Sequence, residues 1–170
     1  MGTIKQVKER FEMAYNALPS VIADTVQRTQ DVLLDLNRDQ LLYGRDADGK
    51  ALTPGYTQDP YFKTRAAAEA YLKMKQGLEG EHKGLRTFTS VQLYPEKDSN
   101  TPNLLVNGRL FFNYFFIRIT QESYEIGSTG EAAAKIESKY NNRVYGLAPK
   151  SKEFYYFSYI RPAIEALYKK

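Results

Sequence analysis

Phe115-Phe116-Ile117-Arg118-Ile119-Thr120-Gln121-Glu122-Ser123-Tyr124-Glu125-Ile126 is the stretch that decides the fold class. Phe115, Ile117 and Ile119 alternate with Phe116, Arg118 and Thr120, the two-residue period of a strand that buries one face. Gln121-Glu122-Ser123 turns the chain, and Tyr124 to Ile126 returns as a short antiparallel partner. A small antiparallel sheet is therefore expected in the second half, with helices packed on it.

Downstream, Ser128-Thr129-Gly130-Glu131 reads as a capping box, serine oxygen and glutamate carboxylate satisfying the free amides of a helix start. The helix it opens carries Ala132, Ile136 and Tyr140 at four-residue steps and stops at Asn141-Asn142. After a loop from Val144 to Pro149, Ser151 caps a last helix whose buried stripe is expected to be Phe154, Phe157, Ile160, Ile164 and Leu167. Pro162 falls inside that pattern and should kink the helix or split it after Tyr159. Lys169 and Lys170 suit the negative end of its dipole.

Upstream, the run from Leu110 to Phe116 holds more aromatics than one stripe can use, which suggests a core filled from both faces. Asn107-Gly108 between apolar residues is a hairpin signal. Thr87, Thr89, Val91 and Leu93 alternate weakly, as in a strand. Residues 77–84 are glycine-rich and charged, an exposed connection. Residues 63–78 suit a helix with Ala67, Tyr71 and Met74 on one side. Before them come turn signals at Gly44, Asp46 to Gly49, Pro54-Gly55 and Asp59-Pro60. Ile22, Val26, Thr29, Leu33, Leu36 and Gln40 form the clearest helical stripe, ended by Gly44. A first helical segment, with Val7, Phe11, Tyr15 and Leu18 in line, is interrupted by Pro19, and Ser20 can cap the second segment. The two segments form one kinked helix or a helical hairpin. The expectation is an α+β chain of one domain. Its helical part is 1–78, its exposed connection 79–84, and its sheet-plus-helix part 85–170.

Composition narrows the function. The 170 residues hold no cysteine and one histidine, His82, which removes thiolate chemistry and makes imidazole catalysis improbable. A net charge of +4 with both signs interspersed is far from the basic stripe of a dedicated DNA binder. No stretch approaches a membrane span, and Met1 to Lys5 lacks the apolar core of a signal peptide, so cytosolic synthesis is expected. Asp46-x-Asp48-Gly49 has the opening of a calcium loop, but the twelfth position is Thr57, so a solvated turn is the better reading. Gly127 to Gly130 lacks the lysine and spacing of a phosphate loop. Glu79, Glu81, Asp46 and Asp48 lie in loops without the apolar surroundings that raise a carboxyl pKa for acid–base work. No cofactor, metal or catalytic residue is expected. Fourteen tyrosines against no tryptophan suggest surfaces buried in an assembly. Tyr155, Tyr156 and Tyr159 fall off the expected stripe and suit a subunit interface; the alternative is a single-stranded nucleic-acid binder stacking bases on them.

The order of short motifs resembles the tailed-phage virion-morphogenesis and tail-completion family. Thr101-Pro102-Asn103-Leu104-Leu105-Val106-Asn107-Gly108-Arg109-Leu110-Phe111 resembles its "leucine, two residues, glycine, x, leucine" segment. Ile126-Gly127-Ser128, the alanine-bearing helix to Tyr140, Tyr145-Gly146-Leu147 and Arg161-Pro162-Ala163-Ile164 follow in the family's order. Gly44 through Tyr56 resembles its "aspartate-glycine, then proline and tyrosine" loop. Leu52 stands near the family's usual tryptophan, and residues 77–84 have no counterpart.

The resemblance implies a long N-terminal helix and a C-terminal helix packed on a small antiparallel sheet, with extra short helices, one beginning after Gly108 in place of a hairpin. It also implies a non-enzymatic virion protein that forms a ring at the head-to-tail junction, made in the host cytoplasm. Its partners would be copies of itself, a portal or adjacent neck ring, tail proteins, and packaged DNA by proximity only, with no membrane. The interface residues expected on that reading are Asp46, Asp48, Gly49, Tyr56, Tyr155, Tyr156, Tyr159, Lys169 and Lys170.

Overall fold

Proline in a helix interior costs about 3 kcal/mol through a lost amide and a clash with the carbonyl four residues back. Even so, helix α1 runs unbroken through Pro19, from Ile4 to Arg28. Pro19 and Tyr15 are both exposed, so the carbonyl that loses its donor is within reach of solvent. The expected interruption at Pro19, with Ser20 as a cap, is thereby corrected. The chain bends instead at Thr29, whose backbone leaves helical geometry (φ −118°, ψ 21°) before α2 continues from Gln30 to Leu42. A capping box starts α1: the Gln6 amide donates to Thr3 Oγ1, and the Thr3 amide donates to the Gln6 side chain.

This is a computed structural model describing residues 3–78, 84–89, 93–106, 109–120, 123–131 and 133–169. Its fold is α+β. After α2, Gly44 (φ +65°) ends the helix as its position predicts. A 3₁₀ turn at Tyr56–Gln58 and helix α3, Arg65–Leu78, come next. Helix α3 buries Ala68; of Ala67, Tyr71 and Met74, expected on one side, Tyr71 is half-buried and the other two are exposed. Gly77, Leu78 and Gly84 are exposed; residues 79–83, with His82, Glu79 and Glu81, lie outside the described residues.

The strand expected over 87–94 is not regular among the described residues. Arg86 and Leu93 form one isolated bridge, and Val91 lies outside them. Instead, the Asp39 carboxylate accepts from the amides of Phe88 and Thr89 and from the Thr89 hydroxyl, fixing this segment on α2.

Strand β1 (Leu105–Val106) pairs antiparallel with β2 (Arg109–Leu110). Asn107 and Gly108 are themselves outside the described residues, but a hairpin ladder flanks them. Helical geometry begins only at Phe111, in a 3₁₀ turn to Tyr114, so the helix start that the resemblance puts after Gly108 is displaced. That turn drives Phe111 and Phe112 together into the core.

Strands β3 (Phe115–Ile119) and β4 (Tyr124–Ser128) pair antiparallel, with Ile117 opposite Ile126 and Ile119 opposite Tyr124. Gly127 lets the Phe116 ring cross the sheet: a Cβ there would lie 2.8 Å from Phe116 Cζ. The expected capping box does not form. Ser128 belongs to β4, its hydroxyl accepts from the Gly130 amide, and α4 opens later, at Ala133–Tyr140. Asn141 and Asn142 end it with φ of 52° and 58°, conformations that asparagine tolerates.

The last helix is one rod in three parts: α5 (Pro149–Tyr155), a π turn (Tyr156–Ile160) and α6 (Arg161–Tyr168). Pro149, not Ser151, opens it, with Ala148 as the cap residue. Pro162 has no amide for the Ser158 carbonyl, and the wider π turn accommodates it, with the Arg161 amide reaching back to the Tyr156 carbonyl. The extra residue rotates the buried face. Phe154 and Phe157, expected inside, are exposed, and Tyr155 is buried.

Two packed clusters hold these elements together. One joins Leu34 and Leu41 of α2 to Phe111, Phe115, Ile136 and Tyr140. The other joins Val26, Leu33 and Leu36 to Leu147 and Tyr155. Polar side chains of α2 also clamp the 144–148 loop: Asn37 donates to the Val144 carbonyl (3.0 Å), and Gln40 bridges the Gly146 carbonyl and Ala148 amide (2.6 and 2.8 Å). No described helix is long and apolar enough to cross a membrane.

Candidate assembly surfaces

Asp46 is fully buried. Its Oδ1 accepts from the amides of Asp48 (3.0 Å) and Lys50 (2.8 Å), an aspartate turn closed by Gly49 at φ +79°. Its Oδ2 faces Arg143 Nη1 at 3.3 Å. The expected backbone role of aspartate and glycine holds, but the solvated turn does not. The carboxylate is spent on tying this loop to the one after α4, where the Ala47 amide also donates to the Arg143 carbonyl (2.9 Å).

Tyr56 is likewise interior, edge-on to Tyr71 with ring centroids 5.3 Å apart. Nearby, Lys139 Nζ bridges the buried Asp59 carboxylate (2.8 Å) and the Asn103 carbonyl (2.9 Å). Tyr155 is buried against Thr29 and stacks on Tyr159, centroids 5.3 Å apart. Burial pushes the Tyr155 hydroxyl pKa up, the hydrogen bond shared with Thr29 opposes the rise, and neighbouring Tyr159 adds to it.

Three of the nine expected interface residues, Asp46, Tyr56 and Tyr155, are therefore corrected to interior residues. Gly49 and Tyr159 are half-buried. Asp48, Tyr156 and Lys169 are exposed. Lys170 lies outside the described residues. Among the described residues no three histidine, cysteine or acidic side chains gather as a metal site would need.

The apolar surface lies elsewhere. Ile4, Val7 and Phe11 line one side of the first turns of α1 and are 90%, 47% and 60% exposed. Phe11 touches Tyr168 of α6, centroids 5.7 Å apart, but keeps most of its ring in water. Lys5 pairs with Glu9 away from this stripe, and Lys8, bordering it between Ile4 and Phe11, pairs with Glu12. Further along α1 a groove of about 880 Å³ opens between Leu18, Pro19 and Ile22, the β3–β4 tip at Ile119 and Tyr124, and Ile160 of the π turn. Its walls are mainly apolar. Burial and the proximity of Tyr155 raise the Tyr124 hydroxyl pKa, so the groove carries no charge there at neutral pH.

No family model, curated protein or solved structure matches this chain.

Sequence reading missed the groove because its walls come from three distant segments. The α1 stripe carried a signal, Ile4, Val7, Phe11, Ala14 and Leu18 at alternating steps of three and four, of which the first three are exposed, Ala14 is buried and Leu18 is half-buried. It reads as core until the structure places α6 only against its later part.

Proposed function

We propose that this chain is a self-assembling, non-enzymatic structural subunit of the head-to-tail junction of a tailed phage, a ring-forming connector or completion protein. The observation that carries the reading is surface area. A compact monomer of 19.5 kDa exposes about 8,500 Å² by mass scaling. This chain exposes 11342 Å², an excess of about 2,800 Å² over that scaling. Large apolar side chains are part of what is exposed, among them Ile4, Phe11 and Met13. Surface of that kind marks an interaction site.

The motif order from Gly44 to Ile164 supports the junction role, with partners that would include a portal or neighbouring neck ring and tail proteins. The reading that stacks nucleobases on tyrosines has less support, since Tyr155 is occupied by Thr29 and Tyr159. Immunogold labelling of virions with antibody against this chain tests the assignment. Label is expected at the joint between head and tail, and unlabelled joints in particles that otherwise stain overturn it.

A further inference from the structure

The uncovered stripe on α1 and the apolar groove have matching character and lie at different places on one molecule. Ile4, Val7 and Phe11 stand at positions i, i+3 and i+7, the anchor spacing of a helix that docks in a groove. The tip they occupy is about 12 Å long at 1.5 Å per residue. It cannot reach the groove of its own chain. Phe11 and the groove residue Ile22 lie on the same unbroken helix, about 16 Å apart along its axis. Only another molecule can fill the groove with this tip.

We infer that the first turns of α1 in one copy dock into the groove between α1, the β3–β4 tip and the π turn of the next copy. The inference rests on the self-assembly proposed above and names its contact. The groove wall is apolar with neutral tyrosines. Lys8, which borders the stripe between Ile4 and Phe11, is 75% exposed and paired with Glu12, so its long stem can follow the tip while the ammonium stays at the rim. Every subunit carries one such exposed stripe and one such groove, a donor and an acceptor. Donor and acceptor differ, so the contact is head-to-tail and propagates to a closed ring or an open filament.

Two variants of the full chain separate the two halves of the contact. Val7→Glu with Phe11→Glu spoils the tip and leaves the groove; Ile22→Glu spoils the groove and leaves the tip. Ala23→Arg serves as a second groove variant, and circular dichroism confirms that each is folded. By light scattering after gel filtration, each variant alone is expected to be monomeric, and an equimolar mixture of tip and groove variants is expected to give a 1:1 dimer and nothing larger. Folded variants that assemble like the unaltered chain overturn this contact but leave self-assembly standing. Groove variants that still associate while the tip variant does not indicate tip-to-tip pairing and overturn it. So does native mass spectrometry that finds a small apolar molecule held in the groove. An unaltered chain that stays monomeric at its highest soluble concentration overturns the self-assembly reading and this contact together.

Discussion

Thr29 Oγ1 and the Tyr155 hydroxyl lie 2.6 Å apart, joining the bend between α1 and α2 to the start of the π turn. The same threonine oxygen reaches the Thr25 carbonyl at 2.7 Å. One side chain thus satisfies its own helix end and orients the tyrosine on which Tyr159 stacks. The wall of the groove depends on that placement.

Replacing Tyr155 with phenylalanine removes the bond and keeps the ring. The expected loss is about 1 kcal/mol, the net worth of an ordinary hydrogen bond. Tyr155→Ala should cost about 3–5 kcal/mol, as for other buried aromatics. Urea midpoints measure both, and equal losses for the two variants would show that the ring is not packed.

Asp46→Ala should cost about 3 kcal/mol, since it leaves the amides of Asp48 and Lys50 without their shared acceptor and removes the carboxylate facing Arg143. Asp48→Ala, at an exposed carboxylate with a loose pair to Lys50 (3.7 Å), should fall within about 0.5 kcal/mol of the unaltered chain. Chemical denaturation distinguishes them, and similar values would contradict the buried role of Asp46.

The contrast between these aspartates shows what the sequence could and could not tell. Aspartate and glycine at 46–49 announce a turn because turn geometry is local. Burial of Asp46 depends on Arg143, from a distant loop, and no spacing in the sequence records it. The β3–β4 pair and the stop at Asn141-Asn142 were legible for the same local reason. In the last helix Ile160, Ile164 and Leu167 of the expected stripe are half-buried, but Phe154 and Phe157 are exposed, because the extra residue of the π turn shifts the phase of the inner face between α5 and α6. For the assembly surface, the α1 stripe was visible as a pattern, but its exposure depends on where α6 lies.

Gly127→Ala places a methyl 2.8 Å from Phe116 Cζ. The expected cost is about 1–3 kcal/mol, typical of overpacking. Adding Phe116→Leu should recover part of it, which a double-mutant cycle in urea measures. Additive losses would mean that the ring does not lie over the glycine.

Alkaline pH should weaken the fold. Burial raises the hydroxyl pKa of Tyr71, Tyr124, Tyr140, Tyr145 and Tyr155 in the folded chain above the ordinary value near 10.0. Above that pH the unfolded chain gives up protons that the folded chain retains, so the linkage favours unfolding. Stability from these groups is complete below about pH 10 and declines as pH rises beyond it. Urea midpoints followed from pH 7 to 11 should stay level as far as these groups are concerned and then fall, with a shallower fall in Tyr155→Phe. Midpoints that rise above pH 10 would reverse the sign.

Molar mass in solution bears most directly on whether this chain spends its surface on its own copies. Light scattering on the purified unaltered chain, with electron-microscopic class averages of the same fraction, should give a multiple of 19.5 kDa and closed rings of one rotational symmetry. A single species of 19.5 kDa at every concentration would contradict the account.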